Sequence, residues 1–283
     1  DVFATPAGGP EDPEKWQEFL EFNNNQMREL MTRYGTIDLL WFDGDWERSA
    51  NQWKAKEFKA YLESLNPKVV VNSRLQGYGD YETPEQGIPL YGPEGVWEFC
   101  TTINDSWGYR PSDNDYKTSR QIIRMFCDCL TLGGKMLLDV GPKEDGTLDE
   151  RQVKVLEDLG SFIHDNEEAI YSTGKGLGYQ HFLGGSTLSA DKKTIYLFVY
   201  DKPAEFLCLK GIKTPVKRVS VLHTGEELTY DYTGSLPWSG IPGTLWIRAD
   251  KMELHPLTTV VKVELEGEIT YNLGHGEVVT NND

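Results

Sequence analysis

Two kinds of hydrophobic pattern alternate along the first 171 residues of the chain. Apolar residues at helical spacing predict four amphipathic helices, at 13–34, 53–65, 118–132 and 149–165. Short apolar runs lie between them and predict buried strands, at 37–42, 69–74, 96–100 and 136–140. Strands that alternate with helices are typical of a parallel sheet with right-handed crossovers.

This alternation predicts an α/β barrel of the TIM type, and only part of one. A complete (β/α) barrel has eight strands and about 250 residues, whereas four such strands precede Tyr171. We therefore expect residues 1–171 to form roughly the second half of a catalytic barrel domain.

The pattern changes after Tyr171, where glycines at 174, 176 and 178 mark a break. Segments with period-two alternation follow, separated by turns, and predict strands. They are 194–200, 205–209, 216–222, 228–232, 244–248 and 259–265. Strands at this spacing indicate an antiparallel β-sandwich, which we expect to form a second domain over residues 172–283.

Composition narrows the classes of partner. The net charge of −17 and the pI near 4.7 argue against nucleic acid, because phosphate binding needs clustered Lys and Arg. No apolar run approaches the ~18 residues of a membrane-spanning helix. The chain begins at Asp1 without an initiator Met or a signal peptide, so we expect that Asp1 need not be the native start.

The four cysteines are expected to be buried thiols without disulfides. They are Cys100, Cys127, Cys129 and Cys208. Cys127 and Cys129 stand two positions apart on a predicted helix, so their side chains point in different directions and do not suit a metal site. No His lies near them.

The stretch 37–46 is the strongest candidate for chemistry. Its apolar run ends on Asp43, which lies between Trp41 and Trp46. Barrel enzymes present catalytic groups at the C-terminal ends of their strands, and an indole beside a carboxylate is typical of sugar binding. The alternative is a loop Asp that caps the following helix.

Retaining glycosidases need two carboxyl groups about 5–5.5 Å apart, one a nucleophile and one an acid/base. Asp43 is our candidate nucleophile, and Glu82, Glu85 and Glu98 compete for the second role. Glu82 and Glu85 fall on a long predicted loop, where the alternative is simple solvent exposure. For Glu98, inside a predicted strand, the alternative is a structural carboxylate bonded to backbone or to an Arg.

Further candidates surround this pair. Arg74 ends the second predicted strand and could hold a substrate hydroxyl, steady Asp43, or form a structural ion pair. Trp41, Trp46 and Trp107 are candidate sugar platforms, with core packing as the alternative for each.

Several motifs, in order, resemble those of the α-L-fucosidases of glycoside hydrolase family 29. They are Leu40-Trp41-Phe42-Asp43-Gly44, Val70-Val71-Asn72-Ser73-Arg74, Thr83-Pro84-Glu85, Trp97-Glu98-Phe99-Cys100, Ser106-Trp107-Gly108-Tyr109, Gly133 to Pro142 and Asn166 to Tyr171. The resemblance covers residues 12–171 closely and the later β region more loosely.

The resemblance implies roles for particular residues. It makes Asp43 the nucleophile and, through the Thr-Pro-Glu context, Glu85 the acid/base, with Glu98 as the second choice. Trp41 and Arg74 would contact fucose, and Trp107 would border the aglycone. It also implies a fucosylated oligosaccharide or glycoconjugate as substrate, no metal or organic cofactor, and a secreted, periplasmic or lysosomal setting.

Two departures from the family pattern bear on this expectation. Asp139 stands where the family usually has Asn, and no His precedes His164 although the family binds fucose with His residues on earlier strands. The glycone pocket is therefore expected to be incomplete in this chain. The open alternatives are a truncated protein, a rearranged one, a complementing second chain, a homo-oligomer, a structural or assembly subunit, and a non-catalytic fucose-binding protein.

Overall fold

The computed structural model describes residues 12–274, and the chain divides into two compact units. The first comprises residues 1–83 and 93–98, and the second comprises residues 84–92 and 99–283. The expected domain boundary at 171/172 stays a prediction.

Besides a 3-10 helix at Asp45–Glu47, the first unit contains three α-helices and two short strands among its described residues. They are α1 (Pro13–Arg33), β1 (Leu39–Leu40), α2 (Ala50–Trp53), α3 (Ala55–Leu65) and β2 (Val70–Val71). Asp12 caps α1 by accepting hydrogen bonds from the Glu14 and Lys15 N–H groups, which satisfies donors that have no intrahelical partner. The predicted helix from residue 53 is broken at Lys54, whose backbone is left-handed with φ of 51°.

Strands β1 and β2 pair in parallel, with Leu40 beside Val71, as predicted. Both are shorter than predicted because the ladder stops after Leu40. Beyond that point the Asn72 side chain, rather than a strand backbone, binds the N–H and C=O of Phe42. Burial also alternates, since Leu40 and Val71 are buried while Leu39 is 46% exposed.

The segment predicted as a loop over 77–86 contains extended backbone. Tyr81 forms a parallel bridge with Asn72, and Glu82 forms one with Trp97. Gly79 passes so close to the Asn72 carbonyl that a Cβ there would lie 2.2 Å from its oxygen. A side chain at 79 would therefore push these paired segments apart.

The second unit begins with an α/β portion. Its elements are residues 99–102 of β3 (Glu98–Thr102), α4 (Ser119–Thr131), β4 (Lys135–Asp139), α5 (Glu150–Asp165) and α6 (Glu167–Ile170). Strand β3 pairs with β4. Thr118 and Gln121 form a capping box that starts α4.

The remainder of the second unit is a two-sheet antiparallel structure. Its strands are β5 (Thr173–Lys175), β6 (Gly185–Ser189), β7 (Thr194–Val199), β8 (Phe206–Lys210), β9 (Val216–Val221), β10 (Tyr230–Thr233), β11 (Thr244–Arg248) and β12 (Thr259–Leu265). One sheet has the order β5-β6-β7-β12-β9 and the other β10-β11-β8. The described pairings within both sheets are antiparallel, as predicted for a β-sandwich.

One apolar core fills this structure, and a second joins it to the helices. Side chains of β7, β9, β11 and β12 form the first core. In the second, Ile123 of α4 and Phe162 of α5 pack with Phe198 of β7 and Val260 of β12, all four fully buried. The helices therefore cover the outer face of the five-stranded sheet.

All four cysteines are free, and the prediction of burial is wrong for Cys208. Cys100, Cys127 and Cys129 are buried, but Cys208 is only partly so. It lies on β8, where burial alternates along the strand, and pairs with Trp246 of β11. Within residues 12–274, no helix is both long and apolar enough to cross a membrane.

Candidate active site

Asp43 lies just beyond β1 with an accessible carboxylate. Its side chain is 58% exposed, and its Oδ1 lies 2.5 Å from Nη1 of Arg74, whose own side chain is only 14% exposed. Gly44 follows with a left-handed backbone, φ of 81°, which glycine adopts without strain. The chain turns there immediately after the carboxylate.

Two indoles surround the Arg74 guanidinium. Its central carbon lies 4.7 Å from the ring centroid of Trp41 and 6.0 Å from that of Trp46, both within cation–π range. Trp41 is partly buried, whereas Trp46 is 64% exposed. Trp46 thus presents a large open aromatic face beside the ion pair.

Glu98 joins the same group through Trp41. The Trp41 indole N–H donates to Glu98 Oε1 over 3.0 Å, and Glu98 is partly buried. The structure thus brings together Asp43, Arg74, Trp41 and Glu98 in the first unit. The bond from an indole differs from both partners, backbone or Arg, that the structural interpretation of Glu98 supposed.

The other predicted residues are distributed differently. Glu82 is exposed and belongs to the first unit. Glu85 and Trp107 belong to the second unit, and both are exposed. Glu85 lies in extended backbone, in a parallel bridge with Cys100, rather than in an irregular loop.

Asp113 anchors the loop that carries Trp107, a role that sequence reasoning missed. Asp113 accepts hydrogen bonds from the Asn104 side chain (2.7 Å), the Ser106 N–H (2.9 Å) and the Asp115 N–H (3.1 Å). These bonds, led by those of Asn104 and Ser106, lower the pKa of Asp113 to about 2. The available signal was the run Asp113-Asn114-Asp115, since Asp and Asn side chains commonly bind a backbone N–H two positions on.

Two further side chains that sequence reasoning missed, Asn72 and Gln76, bind the backbone around Asp43. Asn72 contacts Phe42, and Gln76 contacts Asp45. The signal was a polar residue at every second position, 72, 74 and 76, directly after a buried strand.

Asp139 ends β4 with one carboxylate oxygen, Oδ2, that is buried and has no hydrogen-bond partner among the described residues. Burial raises its pKa. This is the position where the family pattern has Asn. No group of three or more His, Cys, Asp and Glu side chains within residues 12–274 could hold a metal ion.

A separate cavity of about 630 Å³ lies in the second unit, lined in part by Arg124, Asp128 and Tyr200. The Tyr200 hydroxyl donates to Asp128 over 2.6 Å, and the Arg124 guanidinium lies 4.6 Å from the Tyr200 ring centroid. Burial raises the pKa of Asp128. The hydrogen bond between Tyr200 and Asp128 lies in the wall of this cavity, and none of the predicted site residues lines it.

The alternating strands and helices, followed by two antiparallel sheets, define a class, that of the α/β-barrel proteins with a C-terminal β-sandwich. Within that class, the sequence profile described as Alpha-L-fucosidase matches residues 3–168. The match spans more than half of the chain, so the protein belongs to the α-L-fucosidase family.

Curated relatives and solved structures agree. An α-L-fucosidase of Dictyostelium discoideum is 30% identical over 63% of this chain and 41% of its own length. The tissue α-L-fucosidase of Rattus norvegicus is 33% identical over 52% of this chain and 34% of its own length. Among structures, α-L-fucosidase isoenzyme 1 of Paenibacillus thiaminolyticus superposes with a TM-score of 0.78 at 29% identity, covering 91% of this chain and 64% of that one.

A second solved structure is a family 29 α-L-fucosidase of Bacteroides thetaiotaomicron, described as a trapped covalent intermediate with 2-fluoro-fucosyl fluoride. It matches with a TM-score of 0.79 at 26% identity over 92% of this chain and 64% of that chain. These likenesses confirm the expected fold class, a part of a TIM-type barrel followed by a β-sandwich. The chain spans about a third to two fifths of the curated relatives above and 64% of these structures.

Proposed function

We propose that this protein is a retaining exo-α-L-fucosidase that releases L-fucose from fucosylated oligosaccharides or glycoconjugates. One observation carries the proposal: in a member of this family, the Asp43 carboxylate stands open to solvent at a strand end, paired with Arg74 and flanked by Trp41 and Trp46. A carboxylate that attacks a sugar must be accessible, and indoles stack on the apolar face of a pyranose.

The mechanism proceeds in two displacements. Asp43 attacks the anomeric carbon while Glu85 donates a proton to the departing glycosidic oxygen, which forms a fucosyl-enzyme ester and frees the aglycone. Glu85 then removes a proton from water, which attacks the same carbon and restores the Asp43 carboxylate. Two inversions retain the configuration. The covalent intermediate reported for the Bacteroides enzyme supports this order of events.

Arg74 and the indoles bind substrate in this scheme. The guanidinium has five N–H donors in a planar fork, so it can bind Asp43 and still donate to a sugar hydroxyl. The open face of Trp46 and the ring of Trp41 form the sugar platform, and Trp107 borders the aglycone.

Hydrolysis of 4-nitrophenyl α-L-fucoside tests the proposal. Asp43→Ala should abolish turnover, because no other group forms the ester. Asp38→Ala is the matched control, since Asp38 is an exposed carboxylate at the start of the same strand segment, and it should retain full activity. Full activity in Asp43→Ala would remove Asp43 from the mechanism.

The acid/base role is decided by azide rescue. In Glu85→Ala, azide should restore turnover by attacking the fucosyl-enzyme without needing a base, and the product should be the fucosyl azide. Glu98→Ala is run in parallel. Rescue confined to Glu98→Ala would transfer the acid/base role to Glu98, whose bond to Trp41 already places it in the group around Asp43.

A second candidate function is fucose binding without turnover, or turnover only with a complementing chain or a second copy. The observation that favours it is that no His precedes His164, whereas the family resemblance implies His residues that bind the fucose hydroxyls. Calorimetry that detects L-fucose binding, in a protein that does not hydrolyse the aryl fucoside, would select this function. Light scattering would then separate a monomer from an assembly.

A further inference from the structure

Three side chains after β2 bind three residues after β1, in the same order along both segments. Asn72 binds Phe42, Arg74 binds Asp43, and Gln76 binds Asp45. Residues 73–77 form a turn rather than a continued strand, and the Leu75 N–H donates to the Ser73 carbonyl over 2.8 Å. The segment 72–76 therefore binds residues 42–45 at three points, through side chains at alternate positions, and the middle one contacts the candidate nucleophile, Asp43.

The first point is a complete amide pair. Asn72 is fully buried, its Oδ1 accepts from the Phe42 N–H over 2.8 Å, and its Nδ2 donates to the Phe42 carbonyl over 2.8 Å. Both backbone groups of the residue just before Asp43 are thereby satisfied by one side chain. A backbone group that lost this partner while shielded from water would be left without a hydrogen bond, which destabilises the fold.

The third point fixes the other side of Asp43. The Gln76 side-chain amide donates to the Asp45 carbonyl over 2.8 Å and to its carboxylate over 3.3 Å, while the Gln76 N–H donates to the same carboxylate over 2.7 Å. Gln76 adopts a left-handed backbone with φ of 50°. A non-glycine residue keeps this conformation only where its surroundings hold it there.

We propose that Asn72 and Gln76 are positioning residues that hold the Asp43 carboxylate in its attacking place. This rests on the proposed function. With Phe42 and Asp45 both bound, the backbone on each side of Asp43 is fixed, and Arg74 restrains the carboxylate itself. A nucleophile displaced by about 1 Å can cost a reaction about 100-fold, so clamping the backbone acts on turnover rather than on substrate affinity.

We call the bonds of Asn72 to Phe42 and of Gln76 to Asp45 the clamp, and the kinetics of three variants test it. Asn72→Ala removes the first point, and Gln76→Met removes the side-chain bonds of the third while keeping its length. Ser73→Ala is the matched control: its hydroxyl lies 2.7 Å from Thr83 Oγ1 and accepts from the Thr83 N–H over 3.2 Å, so it loses comparable bonds in the same segment without touching residues 42–45.

With 4-nitrophenyl α-L-fucoside, we expect kcat to fall about 10- to 100-fold in both clamp variants with KM within about threefold. Ser73→Ala should keep kcat within about twofold. The clamp is refuted if Ser73→Ala lowers kcat as much as the others, or if the clamp variants leave kcat intact. Gln76→Met alone decides the matter should Asn72→Ala fail to fold.

A spectroscopic readout separates this inference from the proposed function. In protein labelled with 5-fluorotryptophan, the ¹⁹F signals of Trp41 and Trp46 report on the two sides of Asp43. They should shift or broaden in Asn72→Ala and Gln76→Met, while the signal of Trp246 on β11 stays in place, and Ser73→Ala should leave all three unchanged. If the unaltered protein shows no hydrolysis, the proposed function fails and this comparison decides the clamp. Unchanged Trp41 and Trp46 signals would overturn it.

Discussion

The ion pair between Asp43 and Arg74 should contribute measurably to stability, and its size follows from the burial of its two members. Hydrogen bonds to charged groups contribute about 1.5–3 kcal/mol, whereas exposed ion pairs contribute about 0.2–1 kcal/mol. Arg74 is 14% exposed and Asp43 is 58% exposed, so the pair lies between these cases. We expect a coupling energy of about 1–1.5 kcal/mol.

A double-mutant cycle measures this coupling. The four proteins are the unaltered chain, Asp43→Asn, Arg74→Met and the double variant, each unfolded in urea and followed by tryptophan fluorescence. A matched cycle on Glu29 and Arg33 serves as control, because that pair is 3.8 Å apart with side chains 51% and 72% exposed. The control should give a coupling below about 0.5 kcal/mol.

Comparing the coupling energies of the two cycles shows whether the Asp43–Arg74 ion pair contributes more to stability than an exposed pair does. A coupling of Asp43 with Arg74 no larger than that of the control would refute the reasoning, because it would mean that solvent separates the two side chains. Since Asn keeps the shape of Asp43 and Met keeps the stem of Arg74, cavity effects are small in both cycles.

Three further outcomes follow from the structure. The pKa of Asp113, about 2, lies below its ordinary 3.8, so the carboxylate stabilises the fold above pH ~4 and loses this effect as pH falls towards 2. Asp113→Asn should therefore unfold at lower urea concentration than the parent at pH 7. The difference between the two proteins should shrink below pH ~4. Burial raises the pKa of Asp128, so ionisation of this side chain opposes folding as pH rises above 3.8. Asp128→Asn keeps an acceptor for Tyr200 and should raise the melting temperature more at pH 7 than at pH 4. An equal increase at both pH values would contradict this. With a thiol reagent at pH 8, Cys208 should be labelled in the native protein before Cys127, since only Cys208 is partly exposed; peptide mapping that finds both at the same rate would show that the region opens.

The spacing of apolar residues predicted helices and strands well where each element buries one face and exposes the other. The amphipathic spacing of α4 and α5 placed both within one residue, because each buries one face and has a capping side chain at its start. Strands β11 and β12 match their predicted bounds, since they alternate between a core and an outer face. The strand Gly185–Ser189 was missed because its residues are small and polar and gave no apolar alternation.

The local pattern could not show how segments far apart in sequence bind one another. The run 37–42 reads as one strand, yet only Leu39–Leu40 is paired. Phe42 is held by the side chain of Asn72, which lies 30 residues later, and nothing in the apolar pattern marks that bond. Likewise, the contact of Trp41 with Glu98 depends on the fold, whereas the choice of Asp43 rested on its strand end and flanking indoles.

Trapping the covalent intermediate tests the central claim most directly. The protein is incubated with 2-fluoro-fucosyl fluoride, digested, and examined by tandem mass spectrometry. We predict a single fluorofucosyl group in ester linkage to Asp43, and none in Asp43→Ala. A sugar attached to any other carboxylate, or undiminished release of fucose by Asp43→Ala, would contradict the account.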